Sequence, residues 1–133
     1  MTNRSYDTEF RRQLDALYEG LSANLELLPI LPSETSEAVL TYLLELACQA
    51  QNTRNIDLGR MALLRLPTGW LVERIEQIAE PLLQLNDEWE YRRLLEVYER
   101  LDSALTQRLA ARGMNSDQPD IRATAQEYFG HVH

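Results

Sequence analysis

Apolar residues recur every third or fourth position along almost the whole of this chain and nowhere alternate with polar ones. That period belongs to amphipathic helices and excludes half-buried strands, so the fold class is all-α. Phe10, Leu14, Leu17, Leu21 and Leu25 mark a first helix over about Tyr6 to Asn24. Pro29 and Pro32 place a loop from Leu27 to Pro32. Ser33 is the expected N-cap of the next helix. On that helix Val39, Leu43, Leu46 and Ala50, flanked by Leu40, Leu44 and Ala47, cover more than a third of the circumference, so it is central.

Further on, Asn52 to Asn55 reads as a polar turn with cap residues before a helix from Ile56 to Leu66, whose inward residues are Leu58, Met61, Ala62 and Leu66. Pro67 ends it, and Thr68 is placed to cap a helix carrying Leu71, Ile75, Ile78, Ala79 and Leu82. Pro81 predicts a kink or break near Glu80. Asn86 and Asp87 open the longest helix, about 25 residues, with Asp87 and Glu90 spaced as a capping box. Its stripe is Tyr91, Leu94, Tyr98, Leu101, Leu105 and Leu109, and Gly113 is expected just past its end in a left-handed conformation. Pro119 takes a first helical position, with Ile121, Ala125, Tyr128 and Phe129 inward and Gly130 closing. The expectation is five to seven helices in one domain over residues 1–133. Short connections should pair them as antiparallel hairpins, in a short solenoid or an irregular bundle.

Composition narrows the chemistry. All 13 basic residues are arginine, against 21 acids, for a net charge of -8. The lack of lysine removes Schiff-base and Walker-type phosphate chemistry. Cys48, the single cysteine, excludes an internal disulfide and a thiolate zinc cluster. It lies about 180° from the Val39 stripe with no His or Lys near it in sequence, which predicts an inert, partly buried thiol. His131 and His133 fall in the last three residues, too near an end to build a catalytic dyad or more than an adventitious metal site. No catalytic residue, metal or cofactor is expected, and the protein is read as not an enzyme. The polar start, Met1 to Arg12, and the lack of any apolar run near 18 residues predict a cytoplasmic chain without membrane partners. Residues 1–52 hold three arginines against eight acids. Such a surface repels nucleic acid, which is therefore not an expected partner. The carboxylate groups Glu73, Glu76, Glu80 and Glu96, Glu99 read as solvated faces, with Glu88 to Arg92 and Glu96 to Arg100 as i, i+4 pairs.

Asp57-Leu58-Gly59-Arg60-Met61-Ala62 and Asp120-Ile121-Arg122-Ala123-Thr124-Ala125 share a pattern: an Asp at a helix start, then an aliphatic, an Arg, and an Ala four residues beyond the aliphatic. Asp117 to Ala125, and less closely Asn55 to Leu64, resembles the opening of the second helix of a HEAT or armadillo repeat. In that family the Asp caps the helix and the Arg lies along the surface between repeats. Gly59 departs from the pattern, and no Pro precedes Asp57. Leu85 to Glu96 is similar to helical segments of cyanobacterial proteins that carry no assigned activity. Together these resemblances imply stacked helix pairs that bury a core against each other and expose a face for partners.

Trp89 is the residue least at home in its helix. With Leu94, Tyr98, Leu101 and Leu105 inward, it lies about 160° away, among Arg93, Glu96 and Arg100. Trp and Arg are the residue types most enriched at interface hot spots. Trp89 is therefore either a partner-binding anchor, with Arg93 and Arg100 beside it, or an end cap folded back on Leu85 or the preceding helix. The first reading makes the chain a protein-protein interaction module or scaffold, bound to another protein or to itself. The alternative is a small-ligand-binding bundle with a regulatory role, in which Tyr42, Trp70, Tyr91 and Tyr98 line an apolar pocket.

Overall fold

A computed structural model describes residues 2–49, 51–82 and 87–130, and side chains from Ser5 onward. Ala50, Leu83, Gln84, Leu85, Asn86, His131, Val132 and His133 lie outside the described residues, along with the expectations placed on them. All the regular structure described is helical: α1 (Thr2–Leu17), α2 (Ser33–Ala47), α3 (Thr53–Arg65), α4 (Thr68–Val72), α5 (Ile75–Ala79), α6 (Glu88–Leu101), α7 (Ser103–Met114) and α8 (Pro119–Tyr128). Two 3-10 segments, Leu21–Ala23 and Leu25–Ile30, join α1 to α2.

Among the described residues, eight α-helices exceed the five to seven expected, because two helices that the apolar period runs through are broken by local polar chemistry. The 87–113 stripe is interrupted at Asp102, whose backbone is extended (φ -166, ψ 132). Its carboxylate accepts the Leu105 amide at 3.1 Å, so one residue ends α6 and caps α7. Leu94, Tyr98, Leu105 and Leu109 are nonetheless all buried, since both helices turn the same stripe inward. The 68–82 stripe breaks at Arg74. The Arg74 guanidinium takes the Trp70 carbonyl at 2.7 Å, while its own amide goes to Leu71. Pro81 follows the end of α5, where the break near Glu80 was expected.

Other boundaries shift for similar reasons. α1 ends at Leu17 rather than near Asn24, because Gly20 is left-handed (φ 81) and Asp15 accepts both the amide and the hydroxyl of Ser22. Leu21, Leu25 and Leu28 reach the core from the 3-10 segments instead, where a plain loop was expected at Leu27 to Pro32. Ser33 and Thr68 are first helical residues, not caps; prolines precede both. Asn52 does cap α3, accepting the Asn55 amide at 3.2 Å from a left-handed backbone. Met61, expected inward, is 58% exposed, and Phe129 is exposed as well. Gly113 lies inside α7, not beyond it.

The core is built between two hairpins. α2 packs most extensively with α3, and α7 with α8. α6 lies between the hairpins, against α7 and α8 on one side and α2 and α3 on the other. α5 packs on α2, and α1 covers α2 and α3. The α2–α3 approach needs Gly59: a Cβ there would sit 2.6 Å from the Ala47 amide nitrogen and 2.7 Å from the Leu43 carbonyl oxygen. Arginines tie the elements across the surface. Arg54 grips Asp7 with two bonds of 2.6 and 2.7 Å, fixing α1 to α3. Arg108 and Arg112, one turn apart on α7, hold Glu76 and Glu80 at the two ends of α5.

Candidate functional site

Asp87 fixes the start of α6 by accepting the amides of Trp89 at 3.0 Å and Glu90 at 3.1 Å. From that start Tyr91, Leu94, Leu95, Val97 and Tyr98 are drawn into the core. At about 100° per residue, Trp89, Arg93, Glu96 and Arg100 then fall in one outward stripe roughly 60° wide. The three expected partner-binding residues, Trp89, Arg93 and Arg100, share this stripe.

Trp89 is 50% exposed, and the Arg93 guanidinium carbon stands 5.7 Å from its ring centroid, within reach of a cation–π contact. Arg93 is held there by donating to Glu96 Oε1 at 3.1 Å. Arg60 of α3 donates to the same carboxylate oxygen. Arg60 and Arg93 are half-buried, and the Nε of each is shielded from solvent without a hydrogen-bond partner. Burial, together with the neighbouring charges of Arg93 and Arg100, pushes the Arg60 guanidinium below its ordinary value. Glu96 was expected to pair with Arg100. Because Arg60 and Arg93 claim it, Arg100 is exposed and makes no hydrogen bond or ion pair among the described residues. Arg100 instead borders an open cleft of roughly 350 Å3 with Glu99, Asp102 and Glu127, and its apolar stem meets those of Arg60, Leu64 and Val97 at a crevice of roughly 10 Å3.

Arg60 is the member of this cluster that sequence reasoning missed. Its sequence signals are its place as the Arg of the Asp57 to Ala62 pattern and a helical spacing that puts it one turn before Leu64, neither of which joins it to Trp89, Arg93 and Arg100. The carboxylates of α5 lie on a solvated face, as expected, with partners that the sequence reading did not indicate. Glu76 and Glu80 are exposed and are held by Arg108 and Arg112. Two i, i+4 pairs of opposite sign, 32 residues apart, were the available signal. Glu88 and Arg92 do approach, at 3.9 Å, although Arg92 is closer to Glu127 (3.1 Å) and donates to Thr124 at 3.0 Å.

The aromatic pocket of the ligand-binding reading is not assembled. Tyr42 stacks on Phe10 with centroids 6.0 Å apart, and Trp70 lies under Arg74. Tyr91 and Tyr98 are fully buried, the Tyr91 hydroxyl donating to the Leu109 carbonyl at 2.8 Å. A different, open cleft of roughly 440 Å3 is bordered by Leu44, Cys48, Ala79, Leu82, Glu90 and Leu94. Burial pushes the Cys48 thiol up to about 12 and also raises the Glu90 carboxyl, with Asp87 adding to the latter. At ordinary pH this thiol is protonated and a poor nucleophile.

Of the residues that the repeat resemblance singles out, Arg60 lies between α3 and α6, where it pairs with Glu96, whereas the two aspartates do not cap their helices. Asp57 lies inside α3, whose cap is Asn52, and α8 begins without a side-chain cap bond from Asp120 or any other residue. Arg122 donates back to the Ser116 carbonyl at 2.7 Å, closing the α7–α8 turn. Among the described residues, no group of three or more His, Cys, Asp or Glu could hold a metal ion, and no helix is long and apolar enough to cross a membrane. No family model, curated protein or solved structure matches this chain.

Proposed function

We propose that the chain is a non-enzymatic protein-interaction module. Its helix hairpins form a scaffold in the manner of HEAT-type repeats, and the outward stripe of α6 is its docking face. The observation that carries this reading is the half-exposed Trp89 with Arg93 held over its ring. A large, rigid aromatic next to an oriented guanidinium offers apolar area and donors at little cost in side-chain entropy. Arg60 and Arg100 extend the same face onto α3 and along α6.

The test compares wild type with Trp89→Ala and Arg93→Ala. Affinity capture with mass spectrometry reads binding to other proteins, and sedimentation reads self-association. A species or oligomer held by wild type should bind the Trp89 variant about 30-fold more weakly, the ~2 kcal/mol scale of a hot spot. Fold stability should fall by no more than about 1 kcal/mol, because a half-exposed ring has limited packing to lose. If Trp89→Ala instead destabilises the fold by about 3 kcal/mol or more and leaves association unchanged, Trp89 is a packed end cap and the proposal fails.

A further inference from the structure

We infer that the seam between α2 and α5 is a docking groove for a basic amphipathic helix of another protein. This surface is separate from the α6 stripe and does not depend on it. Two clefts follow one another along the seam. The first, of roughly 290 Å3, has Leu40 of α2 and Ile78 of α5 in its wall. The second, the open cleft of roughly 440 Å3, continues one turn further along α2 with Leu44 and next to Ile78 with Ala79. Glu37 and Glu73 border the first cleft, and Glu45 and Glu90 border the second. Against these four carboxylates stands one arginine, Arg74, which is already committed to the Trp70 carbonyl and to Glu73. The side chains of Glu37, Glu45 and Glu90 make no hydrogen bond or ion pair among the described residues. Arg60 and Arg93 act on the Cys48 thiol, but both are bonded to Glu96 and neither borders the seam. Burial and Asp87 raise the Glu90 carboxyl, so a cation placed beside it would relieve an uncompensated charge.

The spacing of the clefts limits the partner further. Their walls on α2 are centred about ten residues apart, roughly 15 Å of helix. A helix laid along the seam matches this with apolar side chains at i, i+4, i+7 and i+11, which share one face and span about 16 Å. A Lys or Arg beside that stripe lays its stem on Ile78 or Leu82, both only partly buried, and carries its charge to the rim. Solvated rim pairs add little affinity, so they select the sign of the partner while the apolar anchors hold it. The rest of the chain favours the same partner. No Arg or Lys occurs between Arg12 and Arg54, where six acids do, and a net charge of -8 steers basic partners in while repelling nucleic acid or a second copy.

The probe is a fluorescein-labelled, Ala-based peptide of about 18 residues with Leu at i, i+4, i+7 and i+11 and Lys flanking that stripe, read by anisotropy. One twin carries Glu for each Lys. Another scrambles the order, so that composition and charge stay while the stripe is lost. The Lys peptide should bind at least about tenfold tighter than either twin. Glu37→Lys combined with Glu45→Lys, both exposed sites, should abolish the preference for Lys over Glu, whereas Trp89→Ala should leave it intact. Amide shifts on binding should centre on Leu40, Leu44 and Ile78. Equal binding of the scrambled twin would mean attraction by net charge alone and would overturn the groove. Undiminished preference in the double variant, loss of binding in Trp89→Ala, or no binding at millimolar peptide overturns it as well. Sedimentation supplies the remaining check: a wild-type dimer that the double variant loses would give the seam to a second copy instead.

Discussion

Gly113 is where one hydrogen atom in place of a methyl group matters most. A Cβ at that position would stand 2.0 Å from the Tyr91 hydroxyl oxygen and 2.9 Å from the Ala125 Cβ, so the glycine makes room for the Tyr91 hydroxyl to reach Leu109. Gly113→Ala is expected to cost about 1 to 3 kcal/mol by overpacking. Tyr91→Phe should cost about 1 kcal/mol through the lost hydrogen bond. In the double variant the 2.0 Å contact is gone while the ring Cζ at 2.5 Å remains, so urea unfolding should show a loss somewhat smaller than the sum of the two; a loss larger than the sum would contradict relief through the hydroxyl. Cys48 gives a second residue-level expectation. With its thiol pushed up to about 12, alkylation at pH 8 should run at least about 100-fold slower than for a free thiol, and accelerate on unfolding in urea. An inert thiol was expected because no His or Lys lies near Cys48 in sequence; in the fold Arg60 and Arg93 do act on it, and it is burial that outweighs them. The role of Gly113 was not legible in the sequence: a glycine near a helix end reads as a terminator, and only the position of Tyr91 across the α6–α7 contact shows otherwise.

At the scale of elements, burial was more legible than boundaries. The 3.6-residue period correctly turned Tyr91, Leu94, Tyr98, Leu105 and Leu109 inward, yet it cannot register a break when the helices on both sides bury the same stripe. Asp102 and Arg74 make those breaks through side-chain bonds to the backbone, which periodicity does not contain. The clamp of Arg108 and Arg112 on α5 has an expected consequence of this order. These pairs are well exposed, and each contributes at most about 1 kcal/mol. Replacing both arginines with Ala should therefore change global stability little, but should accelerate amide exchange in α5 at least tenfold over the rest of the core. Uniform acceleration would mean that α5 unfolds only with the whole chain. The candidate face was legible in part. Trp89, Arg93 and Arg100 share a stripe on any straight helix, whereas Arg60 joins them only through the packing of α3 on α6.

For the whole molecule, the acid and alkaline limbs of stability should differ in kind. Hydrogen bonding by Arg54 holds the Asp7 carboxyl below its ordinary range, and Arg12 with Gln13 lowers Glu9 to about 2. Unfolded carboxylates bind protons more readily, so these contributions are present above about pH 4.5 and fade as pH falls towards 2. Both groups lie on α1, so amide exchange in α1 should quicken first on acidification, and Arg54→Met should remove part of that dependence. Buried acids control the other limb. Burial raises Cys48 and Tyr91 to about 12 and raises Tyr98 as well, from ordinary values of 9.0 and 10.0. Their contribution is intact below about pH 9 and declines as pH climbs through these raised values. Urea midpoints should fall steeply there, less so for Cys48→Ala.

The joint at Asp102 also determines where this protein can change length. Elsewhere at least two residues separate successive α-helices, and four form the Asn115 to Gln118 turn, but Asp102 alone connects α6 to α7. One added residue would swing everything beyond by about 100°, aiming Leu105 and Ala110 away from the core and pulling the α7–α8 hairpin off α6. Additions between Asp117 and Gln118, both exposed, leave the helices on either side in register with their own cores, at the expense of the turn's local bonds to Ser116. Affinity tags, circular permutation sites and natural length differences should therefore be accepted at that turn and rejected at Asp102, where the molecule has no slack.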